Sequence, residues 1–230
     1  MALNKSQGNM YDWVSHTWNT VKGKCPHDCT YCYMKGIAKR FCQTQRETYF
    51  DRRELKTNLG KHNFIFVGSS NDLFANQHPT EWIRDTLAHC SVHNENRYVF
   101  QSKNPTEILN WVKFNCFFNS IVGTTIETNR LYRDCMGNAP CPAQRSLDLR
   151  RISQCGIETF VTVEPIIDFD LSDMVKLIKN VNPMQVNIGA DSGNNNLPEP
   201  PKEKVLQLIS ELEKFTVVKQ KRNLNRLLNS

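Results

Sequence analysis

Six short runs rich in β-branched and aromatic residues constrain the fold most, because stretches with helical patterns separate most of them. Each run is short enough for one strand and apolar enough to be covered on both faces. The stretches between them carry helix signals: residues 104–107 read as a helix start, and Leu171 to Val181 has amphipathic spacing. The predicted strands are Trp13–Trp18, Phe64–Val67, Tyr98–Phe100, Ile121–Ile126, Thr159–Val163 and Gln185–Ile188.

Strands that alternate with helices predict an α/β fold with a parallel sheet wound in the right-handed sense. Six such units fit a partial (β/α)6 barrel of the TIM type, and an open flavodoxin-like sheet gives the same periodicity. Because 230 residues suffice for one core, we expect a single barrel over residues 1–215, followed by a basic tail or helix over residues 216–230. Further helices are predicted from about Ala143 to Cys155, with Leu147, Leu149 and Ile152 near one face, and from Lys202 to Phe215.

Three cysteines, Cys25, Cys29 and Cys32, form a C-x3-C-x2-C motif after the first predicted strand. Three thiolates so close in sequence can hold three irons of a [4Fe-4S] cluster. No fourth cysteine belongs to the pattern, so one iron stays open to bind a small molecule. The predicted cluster loop spans residues 19–33, and a helix starting near Cys32 would point its first amides at the negative cluster.

Two other interpretations of these cysteines stay open at this point. One is a structural zinc site completed by Cys42 or His27, and the other is coincidence among nine cysteines. The stretch from Met1 to Met10 lacks a secretory apolar core, so the cysteine count predicts a reducing, cytoplasmic setting. No apolar run is long enough to predict a membrane span.

The charge is mildly basic, at +6, and it is unevenly distributed. The segment from Lys214 to Ser230 contains no acidic residue. It fits either a solvated terminal helix or an arm that follows phosphate groups. Its basic residues are Lys214, Lys219, Lys221, Arg222 and Arg226.

Polar residues follow the apolar runs from the second to the sixth on the same side. In parallel α/β folds, ligands bind at the carboxyl ends of the strands, so this arrangement predicts a polar pocket at those ends. The residues placed there include Ser69, Ser70, Lys103, Thr125, Glu127, Glu164 and Asn187.

The cysteine motif, with Tyr31 just before its third cysteine, resembles that of the radical S-adenosylmethionine (AdoMet) superfamily. Within it, the chain resembles a branch common in bacteriophage and prophage genomes, which is itself distantly similar to the DNA-repair enzyme spore photoproduct lyase. The likeness covers nearly the whole chain. It is carried by residues 9–13 and 16–19, the cysteine run through Tyr33, and residues 102–105 and 163–166.

This resemblance implies a partial barrel of the radical AdoMet type. It also implies a [4Fe-4S] cluster on the three cysteines, bound AdoMet, and an external electron donor of the flavodoxin or ferredoxin kind. The implied reaction is reductive cleavage of AdoMet followed by hydrogen abstraction from a substrate. Lys103, Glu127 and Glu164 are the implied catalytic residues. The implied cofactor-binding residues are Tyr31 at the adenine, Ser69 and Ser70 where the family often has Gly-Gly-Glu, Lys103, Thr125, Glu127, Glu164 and Asn187.

Three hypotheses for function remain. The first is a radical AdoMet enzyme of a phage or prophage that acts on DNA, RNA or a nucleotide in the host cytoplasm, favoured by the basic C-terminal segment and by the tryptophans. The second is a radical AdoMet enzyme that modifies a peptide or protein. An auxiliary cluster on Cys135, Cys141 and Cys155 would favour it, but ordinary thiols at these positions are the favoured interpretation. The third is a non-enzymatic, zinc-binding interaction module.

Overall fold

The computed structural model of the chain describes residues 3–6, 11–41, 44 and 46–229. Asn9, Met10, Cys42 and Ser230, which enter the predictions above, lie outside the described residues. Among the helices of the described ranges, none combines the length and the apolar character needed to cross a bilayer.

In the described part of the chain, one sheet contains eight strands and a second contains two. The strands are β1 (Asn4–Lys5), β2 (His16–Trp18), β3 (Val21–Lys22), β4 (Tyr49–Phe50), β5 (Phe64–Val67), β6 (Arg97–Gln101), β7 (Ser120–Thr125), β8 (Glu158–Val163), β9 (Gln185–Ile188) and β10 (Val217–Gln220). The helices are α1 (Tyr33–Arg40), α2 (Thr80–Val92), α3 (Pro105–Leu109), α4 (Arg133–Met136), α5 (Pro142–Gln154), α6 (Leu171–Val181), α7 (Lys202–Glu213) and α8 (Asn225–Leu228), with 3-10 turns at Arg52–Lys56, Asn115–Asn119 and Arg222–Leu224.

The order of the large sheet identifies the architecture. It runs β1-β2-β5-β6-β7-β8-β9-β10, and every pair from β2 onward is parallel. Right-handed crossovers that always step in the same direction place all the connecting helices on one face. A flavodoxin-like sheet would reverse direction partway, so the partial barrel is confirmed and the open-sheet alternative is wrong.

The main core lies between the sheet and its outer helices. Helix α7 buries Val205, Leu208, Ile209 and Leu212, and this spacing places them on one face of a helix. Helix α6 likewise buries Met174, Ile178 and Val181. The predicted bounds of α6 are confirmed, whereas α7 ends at Glu213, two residues before the predicted end.

A second, aromatic cluster fills the interior of the barrel and forms the floor of the cavity above it. Tyr11 stacks on Trp13 with 4.9 Å between ring centroids, and both rings meet Phe160 edge-on. Gly123 on β7 makes room for this cluster, because a Cβ there would lie 2.2 Å from the Phe160 ring. The first predicted strand is therefore too long at its start: β2 begins at His16, and the two residues Trp13 and Val14 belong to this floor.

The end of the chain is part of the barrel. The segment predicted as a basic tail or helix forms β10, which pairs in parallel with β9, before it continues into α8. On α5, Leu149 and Ile152 are buried as predicted, but Leu147 is 40% exposed.

Candidate active site

A cavity of about 1120 Å³ opens at the carboxyl ends of the strands, where the sequence predicts the site. Its volume is slightly above the range for small-molecule sites, about 300–1,000 Å³. All three motif cysteines line it, together with residues from both edges of the sheet. We call one side the cysteine-side wall, made of residues 23–32 and the ends of β5, β6 and β7. The other side, made of the ends of β8, β9 and β10 and residues 221–223, is the seam-side wall.

The cysteines lie in the loop between β3 and α1. Cys29 is buried, and Cys25 and Cys32 are half-buried. Burial raises the pKa of the Cys25 thiol to about 12, and the Asp72 carboxylate adds to this shift. Within the described residues, no group of three or more His, Cys, Asp or Glu side chains is close enough to hold a single metal ion. The loop therefore does not present a preformed tetrahedral zinc site from those residues.

The loop after β7 holds the cysteine loop in place through the backbone. The amide of Asn138 donates to His27 O at 2.7 Å, and the amide of Thr30 donates to Cys135 O at 3.0 Å. Gly137 adopts a φ of +60°, and a Cβ there would lie 2.1 Å from His27 O. Glycine is required at this position because both the backbone conformation and the close approach exclude a side chain.

Asp72 joins three segments of the cysteine-side wall. Its Oδ2 lies 2.8 Å from His27 Nε2 and accepts hydrogen bonds from Ser102 Oγ at 2.9 Å and from the Lys103 amide at 2.8 Å. Burial alone would raise the pKa of Asp72, but His27 and the hydrogen bonds outweigh it and lower the pKa. The carboxylate thereby fixes the cysteine loop against the ends of β5 and β6.

A buried charge network lies behind the cysteines. The Lys103 ammonium lies 2.6 Å from Glu127 Oε1 and 3.4 Å from Cys29 Sγ, and Arg145 Nη1 lies 2.9 Å from Glu127 Oε2. Tyr31 donates its hydroxyl to Glu127 Oε1 at 2.6 Å. Glu127 and Arg145 are completely buried. The network therefore holds a cation beside a sulfur atom of the motif.

Electrostatics keep this network ionised. Burial alone would raise the pKa of Glu127, but Arg145 and Lys103 outweigh it and hold the pKa well below its usual range. Burial would lower the pKa of Lys103, but Glu127, then Tyr31 and Cys29, raise it well above its usual value. The pair is charged at neutral pH.

The structure brings together most of the residues predicted for the site. The predicted residues that line the cavity are Cys25, Cys29, Cys32, Tyr31, Ser69, Ser70, Lys103, Thr125, Glu164 and Asn187. Glu127 is placed differently, beneath this surface and held by Arg145 and Lys103. Asn19 holds Ser69 and Ser70 in place. Its Oδ1 accepts a hydrogen bond from the Ser70 amide at 2.8 Å and another from Ser69 Oγ.

The seam-side wall carries Glu164 and the predicted ligand Asn187. Glu164 accepts hydrogen bonds from Lys221 Nζ and from Asn223 Nδ2, the latter at 2.8 Å. Asn187 is only 3% exposed. Within the described ranges, neither its Nδ2 nor Asn223 Oδ1 has a hydrogen-bond partner. This wall therefore has polar atoms that a ligand can satisfy.

The remaining predicted cysteine group does not come together. Cys141 directly precedes α5 and Cys155 directly follows it, with 13 helical residues between them. A helix of that length spans about 20 Å, which is too far for both thiolates to bind one cluster. An auxiliary cluster that uses Cys135, Cys141 and Cys155 together is excluded by this separation.

Three residues of the site were missed from the sequence: Asp72 as the junction, Arg145 as the buried cation and Tyr11 in the floor. Arg145 had a usable signal. It lies four and seven residues before Leu149 and Ile152, on the apolar face of α5, where an arginine requires a buried anionic partner. The Tyr11 hydroxyl donates to Gln101 Oε1 at 2.6 Å and lies 2.8 Å from Thr162 Oγ1. Nothing local in the sequence predicts those contacts.

The fold and the site define a partial-barrel α/β protein with three cysteines in the cavity at its strand ends. Solved structures of spore photoproduct lyase have the same fold. A double mutant with bound AdoMet and dinucleoside spore photoproduct has a TM-score of 0.66 at 10% identity, covering 94% of this chain and 80% of that chain. A complex with dinucleoside spore photoproduct has a TM-score of 0.64 at 10% identity, covering 92% and 78%. At this identity the likeness establishes the fold.

The chain belongs to the family described as protein of unknown function (DUF5131), which matches residues 9–202. The comparison with curated proteins gives no match.

Proposed function

We propose that this protein is a radical AdoMet enzyme that acts on a nucleic acid or nucleotide. The observation that carries the proposal is the position of the C-x3-C-x2-C cysteines, which line a large cavity at the strand ends of a partial barrel. The donor set fits an iron–sulfur cluster: three thiols on one short loop, with the Lys103 ammonium 3.4 Å from Cys29 Sγ. Cys25, Cys29 and Cys32 would hold the cluster.

A [4Fe-4S] cluster bound there with AdoMet supplies reductive cleavage of the cofactor and hydrogen abstraction from a substrate. The protein supports this chemistry by holding its own groups in place. Lys103 offsets negative charge at Cys29, and Glu127 with Arg145 keeps the ammonium ionised and oriented. The Tyr11 and Phe160 cluster closes the cavity from below, which excludes water from that side.

Polar groups on the cysteine-side wall are proposed to bind AdoMet. Ser69, Ser70, Thr125 and Tyr31 line the cavity near the motif loop, and Lys103 supplies the cation for the methionine carboxylate. Glu127 acts through Lys103 and Tyr31, because both already bind its Oε1. The catalytic role of Glu164 and the cofactor role of Asn187 stay predictions, as does an origin in a phage or prophage.

The proposed substrate class is supported by two observations. Lys219 and Arg222 line the same cavity as the cysteines, and cationic side chains there suit phosphate. The solved structures with the same fold contain a dinucleoside lesion. A peptide substrate was the alternative supported by an auxiliary cluster, and the separation of Cys141 from Cys155 removes that support.

The test is anaerobic reconstitution followed by incubation of the reduced protein with AdoMet. We expect about four irons per chain, absorbance near 400 nm and release of 5′-deoxyadenosine. Cys29→Ala should lose the cluster and the product, whereas Cys155→Ala, an exposed cysteine far from the motif, should keep both. A colourless protein that binds zinc and leaves AdoMet intact would overturn the proposal.

Helix α1 is the proposed contact for the electron donor, because it begins directly after Cys32. Tyr33, Ile37 and Phe41 are 46%, 40% and 63% exposed at four-residue spacing, next to Lys39 and Arg40. An apolar stripe with positive flanks suits an acidic flavodoxin or ferredoxin-like protein.

Ile37→Glu should slow reduction by such a donor and leave reduction by dithionite unchanged. The matched control is Leu206→Glu on α7, where a leucine is 46% exposed. Equal slowing by both variants would contradict the contact.

A further inference from the structure

Seven basic side chains line the cavity, and most of them are already paired. Lys24 pairs with Glu47, Lys35 with Asp28, Lys221 with Glu164 and Lys103 with Glu127. Across the described ranges, no carboxylate lies within ion-pair distance of the other three, Lys5, Lys219 and Arg222. These three are the cations of the lining whose charge no carboxylate of those ranges offsets.

The three cations lie at the two free edges of the barrel. Lys5 belongs to β1, which ends one side of the sheet, and Lys219 belongs to β10, which ends the other. Arg222 lies two residues after the end of β10. Residues of both edges line the same cavity, so the gap between β1 and β10 borders it. We call this gap the seam.

Negative side chains do not cancel this charge. Asp191 also lines the cavity, but its carboxylate accepts hydrogen bonds from the amide of Gly193 at 3.0 Å and from Asn195 Nδ2 at 2.6 Å. Glu164 is neutralised by Lys221. Asp12 is the other carboxylate in the lining away from the cysteine loop. The charge left at the seam is therefore positive.

Polar atoms deeper in the cavity indicate what enters. Lys219 is the register partner of Asn187 on the neighbouring parallel strand, so their side chains lie on the same face. Asn187 is 97% buried, and among the atoms of the described residues its Nδ2 finds no acceptor. Asn223 Oδ1 is a buried acceptor that likewise has no hydrogen-bond partner among the described residues. Asn187 Oδ1 accepts from Gln185 Nε2 at 2.7 Å, so only the donor half of this amide lacks a partner among the described residues. A buried donor left unpaired costs about 1–3 kcal/mol, which a bound polar group would recover.

The cations at the seam suit an anionic group, and the amides deeper in the cavity suit a planar group with hydrogen-bond donors and acceptors. A nucleotide has both groups. Asparagine amides match the polar edges of bases, and lysine and arginine match phosphate. A base inside duplex would first have to leave the stack, at a cost of a few kcal/mol, and a single strand avoids this cost.

We infer that the seam between β1 and β10 is the entrance for single-stranded nucleic acid. Its phosphates contact Lys5, Lys219 and Arg222, and one base enters the cavity to meet the amides of Asn187 and Asn223. The inference rests on the proposed function for the reacting centre, but binding at the seam does not require turnover.

The test measures fluorescence anisotropy of a labelled single-stranded DNA oligonucleotide with the reconstituted protein over a series of salt concentrations. Three phosphate contacts predict a slope of log K against log salt near −2, from about −0.7 per contact on a single strand. Lys219→Ala and Arg222→Ala should each flatten the slope by about 0.7. Lys113→Ala, which removes an exposed lysine outside the cavity, should leave the slope unchanged.

Base contacts are tested separately. Asn187→Leu should weaken binding by roughly tenfold with the salt slope unchanged, because it removes a contact to a base and no phosphate contact. Asn223→Leu should behave in the same way and provides a second test if the first variant folds poorly, as judged by its Tm. An unchanged affinity in both folded variants would overturn the base assignment.

The outcomes separate this inference from the proposed function. Cleavage of AdoMet without oligonucleotide binding would overturn the inference and leave the enzyme class intact. Oligonucleotide binding that Lys219→Ala weakens, in a protein that takes up no iron, would support the seam and overturn the enzyme class. Equal effects of Lys113→Ala and Lys219→Ala, or tighter binding of an oligoglutamate peptide than of the oligonucleotide, would overturn the seam as a nucleic-acid entrance.

Discussion

The two walls of the cavity differ in how fully their polar groups are paired. On the cysteine-side wall, Asp72, Lys103 and Glu127 all have close partners. The buried Arg145 binds Glu127 and two backbone oxygens, and only its Nη2 lacks a partner among the described residues. On the seam-side wall, Asn187 and Asn223 keep polar atoms that lack partners among the described residues, and Lys219 pairs with no carboxylate of those ranges. The first arrangement suits a cofactor held in one position by rigid groups, and the second suits a ligand that arrives and leaves.

Charge burial explains why the ionised groups of the cysteine-side wall need close partners. An ion pair removed from water is tolerated only when its hydrogen bonds are also satisfied, and Glu127 meets that condition with Arg145, Lys103 and Tyr31. Removing one member leaves the others charged and buried. Lys219 and Arg222 on the seam-side wall carry no such penalty, because both side chains are exposed.

The largest effect is expected from Glu127→Gln. This change leaves Lys103 and Arg145 without their buried carboxylate, so the free energy of unfolding should fall by about 3–5 kcal/mol. Urea denaturation measures it. The matched control is Glu158→Gln, which breaks an ion pair with Arg97 whose side chains are both about half exposed, and it should cost no more than about 1 kcal/mol. Equal losses in the two variants would contradict the network.

A smaller loss is expected from Gly137→Ala, because the new Cβ meets the backbone oxygen of His27 and the residue has a positive φ. We expect a cost of about 1–3 kcal/mol in unfolding free energy, and weaker protection of the Thr30 amide from hydrogen exchange. Gly36→Ala is the control: a Cβ there has nothing within 4 Å. Since Gly36 lies inside α1, alanine should stabilise the protein by about 0.5–1 kcal/mol.

A pair of polar truncations compares the walls directly. Ser102→Ala removes a buried hydroxyl that donates to Asp72 and accepts from the Asn104 amide, and should cost about 1–3 kcal/mol. Asn187→Ala removes an amide whose Nδ2 has no partner within the described residues, so the unfolding free energy should change by less than about 1 kcal/mol. A cost for Asn187→Ala as large as that for Ser102→Ala would show that both walls are saturated.

The smallest expected effect is a pH dependence on the cysteine-side wall. Asn71 Nδ2 donates to two carbonyls of the cysteine loop, so its Oδ1 accepts from His78 Nε2 at 3.2 Å. Burial lowers the pKa of His78 below its usual value.

As the pH falls, His78 therefore takes up a proton more readily in the unfolded chain than in the folded one. Protonation then favours unfolding, so the free energy of unfolding should fall as the pH drops below about 6.5. Urea denaturation between pH 8 and pH 5 measures this fall, and His78→Gln, which does not titrate, should reduce it. An equal fall in the variant would assign the effect to His16 and His89, whose pKa values burial also lowers.

The strands were predictable because their signal is local. The runs at Phe64–Val67 and Gln185–Ile188 are covered on both sides, so their apolar character appears directly in the sequence, and both are confirmed with their predicted bounds. Strand β10 was missed because Val217–Gln220 forms a free edge and carries polar residues. Its position depends on pairing with β9 across an intervening helix, which no local pattern records.

The location of the cavity was predictable from the sequence, but the contacts between its side chains were less so. Polar residues after parallel strands meet at one end of the sheet, which brings Ser69, Lys103 and Thr125 to the cavity. The position of Glu127 beneath the cavity depends on Arg145, which α5 places there from outside the barrel. The assignment of each side chain to cofactor or substrate stays a prediction.

Because β1 and β10 do not close on one another, hydrogen bonding does not impose a fixed circumference on the barrel. Curvature of an open sheet changes through small rotations between neighbouring strands, without breaking any ladder bond. The width of the entrance is thus an elastic property of the whole sheet. Rings and backbones of different size can be admitted while the thiol-bearing loop stays anchored by Asp72 and by the loop after β7.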